Sequence, residues 1–125
     1  MKLPEHYKND ILFFFHGNPD ALILYETLFQ QLDSAFPHAS VKVQKTQISF
    51  YGRRLFAMVS LPRRKRDPGL VVSFGLGRRV NSPRVAAVQP YPNRWTHHIS
   101  VTDRELLDGE LLGWLEEAWV FGEAK

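Results

Sequence analysis

The spacing of apolar residues changes twice along this chain, and this limits the folds that the chain can adopt. Residues 18–37 carry apolar side chains at helical spacing, residues 41–101 alternate, and residues 107–118 return to helical spacing. Side chains return to the same face about every 3.6 residues in a helix and about every two in a strand, so one pattern does not fit the other element. We therefore expect a sheet encoded between two helical segments.

Two helices are expected before the strands. The apolar run Ile11–Phe15, closed by Gly17, predicts a short helix, although a run of this length could equally be a buried strand. Asn18 as N-cap and Pro19 at the first helical position predict a second helix that ends at Pro37. Its apolar face comprises Leu22, Tyr25, Leu28, Phe29, Leu32 and Phe36.

Four strands are predicted in the alternating region: Val41–Tyr51, Leu55–Leu61, Leu70–Leu76 and Arg94–Val101. The first changes phase between Val43 and Ile48, which indicates a bulge or a strong twist. Residues 77–92 are expected to form a long irregular connection. Thr102 and Glu105 then form a capping-box pattern before a closing helix, although Gly109 and Gly113 favour a start near Asp108.

Helices, then antiparallel strands, then a helix is the pattern of an α+β fold. We predict an antiparallel sheet of about four strands, covered on one face by the N-terminal and C-terminal helices. The length predicts a single domain over residues 1–125, with residues 1–8 as a flexible arm.

Positive charge is concentrated in the strand region. Residues 41–101 hold twelve Lys and Arg against one acid, Asp67, whereas both flanking segments are net acidic. A segregated positive field attracts phosphates, carboxylates or an acidic protein surface. If the acids lie on the helices and the bases on strands and loops, the charges are also separated in space.

Several classes of protein are disfavoured by composition. The sequence has no Cys, which excludes disulfides, thiolate nucleophiles and Cys-based metal sites. No apolar stretch approaches the roughly 20 residues of a membrane span, and the N-terminus lacks the pattern of a signal peptide. We expect a soluble, cytoplasmic protein without a metal or cofactor.

The first candidate surface is a basic hairpin loop. Residues 62–69 hold four consecutive bases followed by the turn signal Asp67-Pro68-Gly69. Such a loop can bind a phosphodiester backbone, and the plain alternative is a solvated hairpin tip that promotes solubility. The residues assigned to nucleic-acid or anion binding are Arg63, Arg64, Lys65, Arg66, Lys42 and Lys45.

The second candidate is a small-anion site after the third strand. Gly75, Gly77 and the arginines that follow could present amides and guanidinium groups to a phosphate or carboxylate. The segment fails as a dinucleotide fingerprint because Val80 replaces the third glycine. The plain alternative is that the glycines only give the backbone freedom to turn where the strand ends. The residues assigned to this site are Arg78, Arg79, Ser82, Arg84, Arg94 and His98.

Alternation along the last strand separates its two histidines. His97 shares a face with Ile99 and is expected to be a packed, hydrogen-bonded residue, whereas His98 shares the other face with Arg94 and is the better candidate for contacting a ligand. Adjacent histidines on opposite faces do not chelate one metal readily. Tyr91 and Trp95 could stack on bases or simply pack.

Motifs for phosphate-binding loops, zinc proteases and serine hydrolases are absent, and no catalytic residue is assigned. Six other segments are nevertheless informative: Gly17–Leu28 (GNPDALILYETL), Lys45–Phe50, Ser60–Leu76 (SLPRRKRDPGLVVSFGL), Arg79–Pro83, Pro90–Val101 (PYPNRWTHHISV) and Leu111–Ala118. In the same order and over nearly the whole chain, they resemble the bacterial domain-of-unknown-function family 5655.

This resemblance implies a relation to the broader YjbR-like and frataxin-like α+β group, in which terminal helices cover a sheet. It implies no established activity and no agreed catalytic residues. Frataxin-type proteins bind iron with an acidic helix and edge, whereas the strands here are basic, so an iron role does not carry over.

We therefore expect a non-enzymatic binder of an anionic partner, with nucleic acid favoured. A site for a small phosphate or carboxylate ligand is one alternative. The other is a protein-interaction module, in which the basic face of one molecule docks on the acidic helical face of another copy or of a partner. Membrane association is not expected.

Overall fold

One antiparallel sheet carries all the strands in residues 1–124, which are the residues that the computed structural model describes. Its strands follow the order β1-β2-β3-β4-β6-β5. The elements are α1 (Tyr7–Phe14), α2 (Pro19–Ala35), β1 (Ser40–Val43), β2 (Ile48–Tyr51), β3 (Leu55–Ser60), β4 (Leu70–Leu76), β5 (Ala86–Tyr91), β6 (Arg94–Val101), a 3₁₀ helix (Arg104–Leu106) and α3 (Gly109–Glu123).

The predicted α+β class is confirmed, but the predicted number of strands is wrong. Within the described chain the sheet has six strands rather than about four. The segment expected as one long strand is a hairpin of β1 and β2, in which Val43 pairs with Ile48. The change of phase there marks a turn, closed by a 2.9 Å hydrogen bond from the Gln44 amide to the Gln47 carbonyl.

The sixth strand, β5, lies in the segment expected to be irregular. It pairs only with β6 and forms one edge of the sheet. Five of its six residues are exposed, so it has no alternation of buried and exposed positions. An edge strand without a buried face leaves no period-two pattern in the sequence.

Helices α2 and α3 pack on the same face of the sheet. Phe50 pairs with Ala57 and Ala57 with Phe74, so these side chains form one row across β2, β3 and β4. From α2, Tyr25 stacks on Phe50 with ring centroids 6.5 Å apart, and from α3, Trp114 stacks on Phe74 at 6.1 Å. The buried core therefore lies between the helices and this face.

The boundaries of the helices follow the sequence signals in part. Helix α2 begins at Pro19 after Asn18, as predicted. The predicted capping box is wrong, because the Asp103 carboxylate accepts the Glu105 amide at 2.8 Å and Thr102 caps nothing. That turn is only a 3₁₀ helix, and α3 starts afresh after Asp108, whose side chain accepts the Leu111 amide at 3.0 Å.

The N-terminal segment meets the sheet at β1. The Lys2 amide donates to the Ala39 carbonyl at 2.9 Å, and the Val41 amide donates to the Lys2 carbonyl at 3.1 Å. Helix α1 begins at Tyr7, whose hydroxyl lies 2.7 Å from the Tyr25 hydroxyl of α2. This hydrogen bond and the burial of Ile11 and Phe15 attach α1 to the core.

Substitution of Gly69 by Ala is expected to destabilise the fold by about 2 kcal/mol or more. Gly69 has φ +84°, and a Cβ there would collide with the backbone of Val101 and Thr102. The matched control is Gly113→Ala in α3, where a Cβ meets no atom within 4 Å. This control should stabilise the protein by about 0.5–1 kcal/mol. Chemical denaturation measures both values, and equal effects would contradict the assigned backbone at Gly69.

Candidate functional site

Two basic segments that are distant in sequence leave the sheet at the same end. Val43 pairs with Ile48, Ile48 with Val59, and Val59 with Val72. The β1–β2 turn and the β3–β4 loop are thus neighbours in space, because antiparallel strands alternate in direction. This arrangement places Lys45, at the tip of the turn, on the same end as the four bases of loop 62–69.

The loop presents these bases to solvent. Arg63, Arg64, Lys65 and Arg66 are all exposed. Arg64 has one acidic neighbour, Asp67, at 3.7 Å, and an exposed pair of this kind contributes little to stability. Within residues 1–124, no carboxylate pairs with the other three cations or with Lys45.

The C-terminal end of α1 lies between the turn and the loop and divides this end of the sheet into two grooves. The first groove, of about 360 Å³, is lined by Asp10, Phe13, Phe14, Val43, Gln44 and Lys45. The second, of about 430 Å³, contains Phe14 again and is lined on its other side by Leu61, Pro62, Arg64, Lys65 and Asp67. His16, Gly17 and Asn18 complete it. The two grooves therefore lie next to each other, and Phe14 lines both.

The turn that carries Lys45 is supported by side chains. Gln47 Nε2 donates to the Ser49 hydroxyl at 2.9 Å, and that hydroxyl donates to Gln44 Oε1 at 3.0 Å. Ser49 is fully buried by this arrangement although it lies on the face that the helices do not cover. These hydrogen bonds fix the shape of the β1–β2 turn, which contains no Gly, Pro or Asn.

Lys42 does not join this group. It pairs in register with Ser49 on the face opposite the helices, whereas Lys45 contributes to a groove on the side of α1. Of the six residues predicted to bind nucleic acid, five lie at one end of the sheet and Lys42 lies on its open face.

The residues of the expected small-anion site are not brought together. The Arg78 guanidinium binds both carboxylate oxygens of Glu117, at 2.7 and 2.8 Å. Arg84 binds Asp108 and Glu110 and donates to the Leu106 carbonyl at 2.9 Å. These two arginines thus attach loop 77–85 to α3, and their hydrogen bonds are directed to protein acceptors.

The other members of that set point elsewhere. Arg79 lies over the Trp95 ring, with its guanidinium carbon 5.6 Å from the centroid. The Arg94 guanidinium occupies the space that a side chain at Gly75 would fill. Ser82 accepts the Arg84 amide at 3.4 Å. Each of these residues has a local structural partner, and none of the five main pockets of residues 1–124 is lined by more than one member of the set.

His98 lies on the open face and contacts a serine that was not predicted as a site residue. Its Nδ1 is 2.7 Å from the hydroxyl of Ser73, its cross-strand partner. Ser73 is only 5% exposed, and the described residues place no carboxylate against the imidazole. The pair joins β4 to β6 and lacks the third, orienting group of a nucleophilic triad.

His97 was predicted to be packed and hydrogen-bonded, and this is confirmed. It is fully buried, its ring stacks on Phe74 at 4.9 Å, and its Nε2 accepts the Val80 amide at 3.0 Å. A neutral ring therefore carries its proton on Nδ1, which has no hydrogen-bond partner among the described residues. Burial is the largest cause of the lowering of the His97 pKa, which the nearby backbone of Phe74 opposes.

Phe13 and His16 were not predicted as site residues. Phe13 belongs to the run Ile11–Phe15, which was predicted to be a short helix or, equally, a buried strand. In the helix, Ile11 and Phe15 face the core, while Phe13 is 83% exposed. Helical spacing could have shown this, since residue 13 lies nearly opposite residues 11 and 15 on a helix.

No group of three His, Cys, Asp or Glu side chains in residues 1–124 is placed to hold a metal ion. In the same residues, every helix is too short or too polar to cross a bilayer.

The class of the protein follows from this geometry: an α+β domain with a six-stranded antiparallel sheet, helices on one face and exposed cations at one end. Residues 14–122 match the family model of a domain of unknown function, DUF5655, and the chain belongs to that family. No curated protein and no solved structure matches the chain.

Arg84→Gln is expected to lower the free energy of unfolding by about 1–2 kcal/mol, since Arg84 bonds three acceptors on or near α3. The control is Arg79→Gln, which removes the same charge from an exposed residue and should cost less than about 1 kcal/mol. Urea denaturation of both variants measures the difference. A larger loss for Arg79→Gln would contradict the structural role of Arg84.

Stability is expected to fall as the pH is lowered below about 6.5, the ordinary pKa of an unfolded histidine. Because the pKa of His97 is lowered in the folded state, the unfolded chain binds the proton first. The contribution of His97 is therefore complete above pH 6.5 and is lost as the pH falls toward the folded-state pKa, by at most about 1.4 kcal/mol per pH unit.

The measurement is the free energy of unfolding of wild type and His97→Gln between about pH 5 and 7.5. Wild type should show the steeper decline toward low pH, because glutamine can accept the Val80 amide and does not titrate. The pKa values of Asp108 and Glu117 are also lowered, first by hydrogen bonds from the Leu111 amide and from Arg78, respectively. These carboxylates change stability only at lower pH than this range. Parallel pH curves would exclude His97 as the source.

Proposed function

We propose that the protein binds an anionic partner, with nucleic acid favoured, through the end of the sheet formed by Lys45 and loop 62–69, and that it does so without catalysing a reaction. One observation carries the proposal. The chain pairs Arg78 and Arg84 with carboxylates of α3 and its N-cap, yet leaves the cations at this end almost without acidic partners among residues 1–124.

The balance of charge at this end supports a phosphate-bearing partner. The loop and the two grooves include five Lys and Arg but only two acids, Asp10 and Asp67. Cations held this close together raise one another's electrostatic free energy, and a polyanion relieves that repulsion while releasing its own counterions. A nucleic-acid backbone offers regularly spaced phosphates to such a group.

We also propose that the protein is cytoplasmic, where nucleic acid is available as a partner. A bacterial source and a relation to the YjbR-like and frataxin-like proteins rest on the sequence resemblance described above. The arrangement of helices on one face of an antiparallel sheet agrees with that relation.

Fluorescence anisotropy with labelled DNA and RNA across a salt series tests the function. The variant Arg63→Gln/Arg66→Gln removes two loop cations, whereas the matched control Arg53→Gln/Arg54→Gln removes two from the β2–β3 turn at the opposite end. The loop variant should make the slope of log K against log salt shallower, by about 0.7 for each phosphate of a single strand that the protein no longer neutralises.

The control should leave that slope within experimental error of wild type. Equal effects in both variants would show that binding follows net charge and not this site. Binding that is absent at low salt, or that does not depend on salt, would overturn the proposed function.

A further inference from the structure

We infer that the nucleic acid bound at this end of the sheet is single-stranded and that one of its bases stacks on Phe13. This inference rests on the proposed function. It adds the class of nucleic acid and the residue that selects it.

Phe13 is placed as a stacking platform. Its side chain is 83% exposed, which is more than any other exposed large apolar side chain in residues 1–124. The helix that carries it is fixed, because Ile11 and Phe15 are buried on either side and Tyr7 bonds Tyr25 across the helix pair. A ring held in water by a rigid helix loses little conformational entropy when a flat partner covers it.

The charges around Phe13 complement a nucleic-acid strand. Phe13 shares one groove with Lys45, and the adjoining Phe14 shares the next groove with Arg64 and Lys65. A strand whose base covers Phe13 can therefore meet cations on both sides of that base. Aromatic side chains combined with a cationic path along the backbone are the usual means of binding unpaired strands.

The acid in the first groove favours a base over a phosphate at that place. Asp10 lines the groove together with Phe13, and its carboxylate would repel a phosphate. The same carboxylate can accept a hydrogen bond from the exocyclic amino group of a base. The phosphate positions then fall toward Lys45 and toward loop 62–69.

A duplex suits this end of the molecule less well. Both faces of a base pair inside a duplex are covered by its neighbours in the stack, so Phe13 could meet such a pair only by unstacking the duplex. Sequence reading in a major groove uses a helix or a β-ribbon that enters the groove. Here the cations sit on a turn and a loop, and α1 ends at Phe14.

The test compares three labelled probes of equal length: an unstructured pyrimidine strand, the same strand with abasic sites that keep every phosphate, and its blunt duplex. Wild type should prefer the pyrimidine strand to both others. Phe13→Ala should weaken binding of that strand by roughly 5- to 150-fold and should bind the abasic strand as wild type does.

Two controls separate stacking from loss of apolar surface. Leu12→Ala removes a neighbouring side chain of α1 that is 59% exposed and does not line the first groove. It should leave all three affinities unchanged. Phe13→Tyr keeps the ring and should retain the preference for bases over abasic sites.

The outcomes distinguish this inference from the proposed function. If the Arg63/Arg66 variant weakens every probe while Phe13→Ala changes none, the function stands and stacking on Phe13 is overturned. If wild type binds the duplex more tightly than the pyrimidine strand, the single-strand assignment is overturned. If Phe13→Ala then weakens binding of the duplex alone, Phe13 inserts between stacked base pairs instead of stacking on an unpaired base. If wild type binds no probe at low salt, both proposals fail.

Discussion

The packing of helices on one face of the sheet is the constraint on which the rest of the structure depends. The row formed by Phe50, Ala57 and Phe74 is covered by Tyr25 from α2 and Trp114 from α3, so the two helices share one apolar surface. Apolar burial of this kind is the main favourable contribution to folding. The turns and loops that carry most of the positive charge join antiparallel strands, so they lie at the ends of the sheet and not under the helices.

This constraint divides the cations of the chain into two groups. Loop 77–85 follows β4 and passes close to α3, where Arg78 reaches Glu117 and Arg84 reaches Asp108. Asp108 also caps α3, so the arginine supports the carboxylate that begins the helix. Loop 62–69 joins the opposite end of β4, and within the described chain its cations have only Asp67 as an acidic neighbour. Arg78 and Arg84 are thus neutralised by neighbouring carboxylates, whereas three of the four bases of loop 62–69 have no such partner within residues 1–124.

Much of the fold could be predicted because several elements have a clean local pattern. The bounds of β4 and β6 match the prediction. In β4 the large apolar residues Leu70, Val72 and Phe74 recur at every second position of the sequence, and in β6 every second residue from His97 to Val101 is buried. The β1–β2 turn was missed because residues 44–47 contain no usual turn residue and depend on a hydrogen bond network with Ser49.

The candidate site was only partly predictable for a related reason. The basic loop is a local feature of the sequence, and it could be recognised there. The ion pair of Arg78 joins residues 39 positions apart, so no local pattern could show that this arginine already has a partner. The exposure of Phe13 depends on the rotation of α1 against the core, which the burial of Ile11 and Phe15 decides.

An exposed phenylalanine and a group of cations with few acidic neighbours each raise the free energy of the protein in water, for different reasons. The ring orders water, and the cations repel one another. A small anion relieves only the repulsion, and an apolar peptide covers only the ring. A strand of nucleic acid relieves both at once, because its bases are flat and apolar on their faces while its backbone is charged. Every base has such a face, so the proposed stacking on Phe13 would by itself favour unpaired strands without selecting their sequence.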